Sequence, residues 1–324
     1  MISKRSFLRF AVVGAGLGRS GLVHAQSYPT RLIKIVVPFP AGGPTDLMGL
    51  LAAQCLSSRL GQSVIVENQA GAGGTIGSRN VARASADGYT LLLGGTNSNA
   101  ISPAFYKNLD YDPIGDFVPV ACIAIDSSAL IVTPAVPANT LEEFIQFGQD
   151  NPDKLSGGAP IGIAPHVMVA YFIAKTRTNM VLVPYKGGAP LITDLLAGQV
   201  QMTFGAKSAY LPHIRAGKMK ALAVTSDARW PELPTVPTMS ERGFTGFPGY
   251  QWFELLAPAR TSATVIETLN AAINEGPASS EMRAGLAKLG VETKIQTPGE
   301  LRTALIDDAR RWNATVKFAE IKLE

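Results

Sequence analysis

The stretch Leu32-Ile33-Lys34-Ile35-Val36-Val37-Pro38-Phe39-Pro40-Ala41-Gly42-Gly43-Pro44-Thr45-Asp46 decides the fold. A β-branched run stops at Pro38, two glycines turn the chain, and Pro44 stands where a first helical residue needs no N–H. Apolar residues then recur at helical spacing from Leu47 to Leu60, and Gly61 ends the pattern. A strand, a glycine turn and a helix opening at the strand's carboxyl end form the repeating unit of an open α/β sheet. The first amides of such a helix have no intrahelical partner and carry the positive end of its dipole. A carboxylate fits there without an arginine. Asp46 falls in the first turn, where it can bond back to loop amides in a structural role.

The same alternation continues outward. Strands are predicted at Val64–Val66, Tyr89–Leu93, Met180–Val183, Val200–Phe204, Ala221–Thr225 and Trp252–Leu256. Helices are predicted at Ile76–Ala84, Val167–Lys175, Leu191–Ala197 and Leu211–Ala216. Thr140-Leu141-Glu142-Glu143 is a capping box that opens another helix. From Ala263 onward the chain reads as helices, the last from Glu300 to Phe318. The β-α alternation predicts parallel sheets covered by helices. Two extended stretches, near 120–132 and 245–257, flank a middle segment with its own β-α set. They are expected to cross between two α/β lobes, 26–125 plus 253–324 and 126–252.

Composition narrows the function. With 46% hydrophobic and 17% charged residues the chain of 324 is no disordered segment. Lys4, Arg5 and Arg9, the apolar run Phe10–Gly18 and Val23-His24-Ala25 read as an export signal cut after Ala25. Ser3-Lys4-Arg5-Ser6-Phe7-Leu8 leaves the Sec and twin-arginine routes both open. The mature chain then carries 25 basic and 25 acidic residues, which gives no footing for nucleic-acid binding. No stretch reaches the ~20 apolar residues of a membrane span. Cys55 and Cys122 could pair in an oxidising compartment, but read better as free buried side chains.

Reactive chemistry is hard to find. No Cys-x-x-Cys or His-x-x-x-His suggests a metal, and neither metal nor cofactor is expected. His166 and His213 both read as packing histidines near helix starts. There is no Gly-x-Ser-x-Gly elbow. Gly71-Ala72-Gly73-Gly74 fails the spacing of a dinucleotide loop and reads as a turn into a helix. Glycine-rich loops at strand ends recur instead: Gly94-Gly95-Thr96-Asn97-Ser98-Asn99, residues 156–166, and Pro184-Tyr185-Lys186-Gly187-Gly188. Loops of this kind from two lobes describe a cleft that could close on a small polar anion.

Together these segments resemble the substrate-binding proteins of tripartite tricarboxylate transporters, the Bug-type receptors. The resemblance is carried by Tyr28-Pro29-Thr30-Arg31, Pro38 to Gly43, Val66-Glu67-Asn68, Asp87-Gly88-Tyr89-Thr90, Tyr111-Asp112-Pro113, Val183 to Gly188, Asp194 to Val200 and Pro234 to Thr238. It implies a type II periplasmic binding fold of two α/β lobes with a ligand cleft between them. It implies a monomeric, non-enzymatic periplasmic receptor with membrane subunits as partners. The ligand would be a dicarboxylate, a citrate-like acid, an acidic amino acid or an aromatic acid. Main-chain amides, small hydroxyls and water would hold its carboxylate. Matching positions place Phe39, Ala41, Gly42, Gly43, Thr45, Asp46, Thr96, Asn97 and Ser98 on the first lobe. Gly162, Ile163, Ala164, His166, Tyr185, Gly187 and Gly188 fall on the second.

This chain departs from the family pattern in two places. Ile163 and Ala164 stand where glycine and a hydroxyl are usual, and Gly205 stands where an Asp is common. That favours a ligand with one carboxylate on the first lobe and an apolar or aromatic body toward Ile163 and Ala164. Two other readings use the same cleft. One is a sensory receptor with a membrane signalling partner. The other is an exported esterase with His166 or His213 as base and Ser98 or Ser208 as nucleophile.

Overall fold

The computed structural model describes residues 28–106, 108–276 and 280–321, so the export signal read at residues 1–25 lies outside the described residues. Strand β1 (Ile33–Val37) runs parallel to β2 (Val64–Asn68) on one side and to β3 (Thr90–Gly95) on the other. Its β-branched run is buried because neighbours cover both edges and helices cover both faces. Strand β9 (Tyr250–Pro258) lies antiparallel to β3. Strand β4 (Phe117–Val132) pairs antiparallel with β9 over Phe117–Ser127, then with β7 (Met202–Ala206) and β8 (Lys220–Val224) over its last residues. Beyond them β5 (Ser156–Pro160) is parallel to β6 (Val181–Tyr185) and to β7. The strand order is β2-β1-β3-β9-β4-β7-β5-β6, with β8 also on β4.

The sheet is therefore mixed, where the β-α alternation predicts parallel pairing alone. The two long extended stretches cause the difference. β4 leaves the first half of the sheet for the second, β9 comes back, and an outgoing and a returning strand that lie side by side must be antiparallel.

The helices are α1 (Pro44–Leu60), α2 (Thr75–Ala82), α3 (Ser102–Phe105), α4 (Leu141–Asp150), α5 (Ala164–Thr176), α6 (Gly188–Leu196), α7 (Lys207–Arg215), α8 (Ala263–Asn274), α9 (Ser280–Leu289) and α10 (Pro298–Phe318). Two local readings need correction. The helix predicted at Leu211–Ala216 begins earlier, at Lys207, with Pro212 in its interior, so His213 is in that helix's last turn and not at a start. Residues 94–99, read as a loop, divide instead between the end of β3 at Gly95 and a π-helical turn, Thr96–Ile101.

One apolar core packs β1, α1 and α8 together through Ile35, Val37, Met48, Leu255 and Leu269. A second gathers Leu130, Phe144, Phe172, Phe204 and Trp312. Helix α10 joins both sides of the sheet: Leu305 packs with Phe117 and Leu256, while Trp312 and Val316 enter the second core. Cys55 and Cys122 are free and buried.

Candidate ligand-binding site

Helix starts fall into two kinds. Thr140, Ser262 and Thr297 open α4, α8 and α10, and each side chain accepts a first-turn amide. By contrast α1, α5 and α6 open after Gly43, Ile163 and Gly187, with no side-chain cap. These three follow β1, β5 and β6, so their first turns gather at the carboxyl ends of parallel strands, with the α1 and α6 amides left bare.

The loops into α1 and α5 are built alike. Gly42 and Gly162 both adopt the left-handed conformation, with φ of 80° and 75°. Four residues on, a side chain accepts each glycine's amide. Asp46 Oδ2 takes the Gly42 N–H at 2.8 Å, and His166 Nδ1 takes the Gly162 N–H at 3.2 Å. Asp46 Oδ1 also accepts from Asn68 Nδ2, which donates in turn to the Phe39 carbonyl. Asp46 thus bonds back to its loop as expected, and His166 does the same work in the second half.

Because His166 Nδ1 is an acceptor, the ring is neutral and its proton is on Nε2. The ring is buried and stacks on Phe105 at 5.9 Å, and burial lowers its pKa. The unfolded chain, with an ordinary value near 6.5, therefore takes up the proton first. Stability should be fully present above that value and fall as the pH drops through the lowered folded pKa. Melting curves of the wild type and of His166→Gln between pH 8 and 5 test this. The wild type should lose a few degrees more than the variant; parallel losses would show that His166 does not titrate against the fold.

The turn Thr96–Ile101 connects the two halves. Asn97 Oδ1 accepts the Ala164 amide at 3.0 Å, which fills the first donor of α5. Asn97 Nδ2 faces Gln251 Oε1 on β9 at 3.3 Å. Thr96 and Ser98 are buried, and their hydroxyl protons are committed to Asp308 and to Asn99. In this arrangement they keep lone pairs but no free O–H. Phe39 is adjacent: a Cβ added at Gly74 would lie 3.0 Å from its ring and 3.3 Å from Ser98.

Ala41 and Gly42 are exposed, and Thr45 is buried beside them. Ile163 is half-buried and Ala164 buried. Gly187 and Gly188 face open space. The Tyr185 hydroxyl donates to Asp194 Oδ2 at 2.7 Å, and its pKa is pushed up to about 12, mainly by desolvation.

Five residues not anticipated from the sequence join these loops: Gly73, Gly74, Ser102, Phe105 and Gln251. The Ser102 hydroxyl donates to the Gly73 carbonyl. A side chain at Gly73 would strike Ser102 and Tyr106. The glycine run 71–74 was the available signal, since bare glycines permit close backbone approach.

The esterase reading needs a serine bonded to a histidine. Ser98 donates to Asn99 and Ser208 to Asp126. Among the described residues no group of three or more His, Cys, Asp or Glu is placed to hold a metal ion. No helix among them is long and apolar enough to cross a membrane.

The family of tripartite tricarboxylate transporter receptors, TctC, matches residues 50–321. The chain belongs to this family. Protein BugT of Bordetella pertussis is 35% identical over 319 residues, covering 97% of this chain and 98% of BugT. The solved periplasmic binding protein BugD is 35% identical with a TM-score of 0.82, covering 92% of this chain and all of that one. A Rhodopseudomonas palustris protein solved with adipate is 33% identical with a TM-score of 0.84, covering 91% of this chain and 99% of its own. MatC of the same organism, solved with malate, is 31% identical with a TM-score of 0.81, covering 89% of this chain and 100% of its own. This chain shares their α/β fold, built on a mixed sheet.

Proposed function

We propose that this chain is a periplasmic solute receptor that closes on one small carboxylate and presents it to the membrane subunits of a tripartite tricarboxylate-type transporter, with no chemistry of its own. The observation that carries this reading is the pair of uncapped helix starts, α1 behind Gly42 and Gly43 and α6 behind Gly187 and Gly188, at the carboxyl ends of β1 and β6. Such amides suit an anion. Relatives solved with adipate and malate support the carboxylate class, and the family's description supports the transporter partner. In this reading residues 26–125 with 253–324 form one lobe and 126–252 the other. The protein acts as a monomer after loss of residues 1–25. The α1 amides take the carboxylate. Since Asn97 already fills the first amide of α5, the ligand's body beyond that carboxylate lies against Ile163 and Ala164 and is apolar.

A thermal-shift screen of residues 26–324 against adipate, malate, citrate, glutamate and benzoate tests this. An acid at a hundred times its dissociation constant adds roughly 2.7 kcal/mol. One class should raise the midpoint by a few degrees, with adipate or benzoate ahead of citrate. Citrate ahead would overturn the apolar body, and silence across the panel would overturn the carboxylate reading.

A further inference from the structure

Asp308 lies on α10, 212 positions from Thr96, yet its Oδ2 accepts the Thr96 hydroxyl at 2.6 Å. Thr96 Oγ1 accepts in turn from the Trp252 amide of β9 at 2.9 Å. The other Asp308 oxygen accepts from Arg311 Nη2 at 2.9 Å, and the Trp312 indole faces the same carboxylate. One helical turn further on, Trp312 packs in the same core as Ala100 and Ile101, the far end of the turn that Thr96 begins. So α10 grips both ends of Thr96–Ile101. Its last turn reaches α5, where the Phe318 ring lies 5.0 Å from Tyr171. These are the two elements that Asn97 joins at Ala164.

A carboxylate is an unfavourable choice if α10 merely has to stick. Asp308 is only 2% exposed, and the carboxyl of Glu254, also buried, is pushed up first by that burial and then by the nearby charge of Asp308. Apolar side chains of similar size at 308 and 96 together would hold the helix as well or better. What an apolar side chain cannot do is accept the Thr96 hydroxyl in one direction. We infer that Asp308 is a positioning residue for ligand capture: it fixes the turn Thr96–Ile101 on α10 and thereby sets where Asn97 meets α5. The inference rests on the receptor reading only in taking that turn as part of the ligand cleft.

The experiment uses residues 26–324 carrying Asp308→Leu, Asp308→Asn, Thr96→Val, or Asp308→Leu with Thr96→Val. Hydrogen exchange of the ligand-free proteins is followed at amides 96–101 and 164–167. Affinity is measured for adipate, malate and benzoate. Asp308→Leu should lose protection about tenfold at those amides and weaken the best probe about tenfold, with its thermal midpoint lowered by a few degrees because the buried Thr96 hydroxyl and Trp312 indole lose their acceptor. Asp308→Asn keeps an acceptor oxygen and should retain most of both. The double variant should be no worse than either single one, because both remove the same bond. Undiminished protection in Asp308→Leu, or a loss spread evenly along the chain instead of centred on amides 96–101 and 164–167, overturns the inference. Failure of the wild type to bind any probe overturns the receptor reading instead, and the exchange data then decide the role of Asp308.

Discussion

Gly95→Ala should leave little folded protein. Gly95 ends β3 opposite Phe253 of β9, with φ at 130°, a backbone conformation L residues rarely adopt. An added Cβ would overlap the carbonyl oxygen of Trp252. That oxygen has nowhere to go. It belongs to β9, which β3 and β4 pair on either side, and the Trp252 amide is held by Thr96. Backbone strain and backbone overlap act together here. The expected cost is about 4 kcal/mol or more, a large part of a typical total stability of ~5–15 kcal/mol. Soluble yield and a circular-dichroism melt measure it. A midpoint within a few degrees of the wild type would mean that β9 can shift away from β3 at little cost.

Gly42→Val should behave in the opposite way, sparing the fold and damaging the ligand site. Gly42 is also left-handed, at φ 80°, but nothing lies within 4 Å of where its Cβ would be. No packing is lost, so the whole effect is conformational, roughly 1–2 kcal/mol for an L residue and more for a β-branched one. In the free protein the exposed loop relaxes and gives up the Gly42–Asp46 bond. The ligand must then pull the loop back, so the cost appears in affinity, as a loss of about tenfold or more. Calorimetric titration with the best acid from the screen reads this out. Gly61→Ala is the control: its φ is 64°, it too faces open space, and it caps the other end of α1. It should lower stability and leave affinity alone. Equal affinities for the wild type and Gly42→Val would remove the Gly42 loop from the ligand site.

The unit β1–Gly42-Gly43–α1 was legible because every signal in it is local. β-branched residues end at a proline, glycines turn, and a proline opens the helix, all within fifteen positions. The bond from Asp46 to the loop amide was legible for the same reason, being only four residues long. His166 occupies the matching place in the second half. Nothing in its own neighbourhood distinguishes an acceptor of the Gly162 amide from any other packed histidine, and the pairing shows only when the two turns are laid side by side.

The rest depends on contacts that local pattern does not encode. A strand's alternation says which face is buried but not which strand lies beside it or in which direction, so the antiparallel insertion of β4 and β9 into a sheet of parallel units came from tertiary structure. Hydroxyls at Thr96 and Ser98 looked available for a ligand. Whether an O–H is free depends on distant acceptors, and Asp308 supplies one from the last helix. The sequence by itself thus determined the α/β class, the family and the glycine loops at strand ends, since period, turn chemistry and capping act over a few residues. Only the tertiary structure decided which of those loops' donors remain open, because a buried polar group takes whatever partner the folded chain brings within about 3 Å.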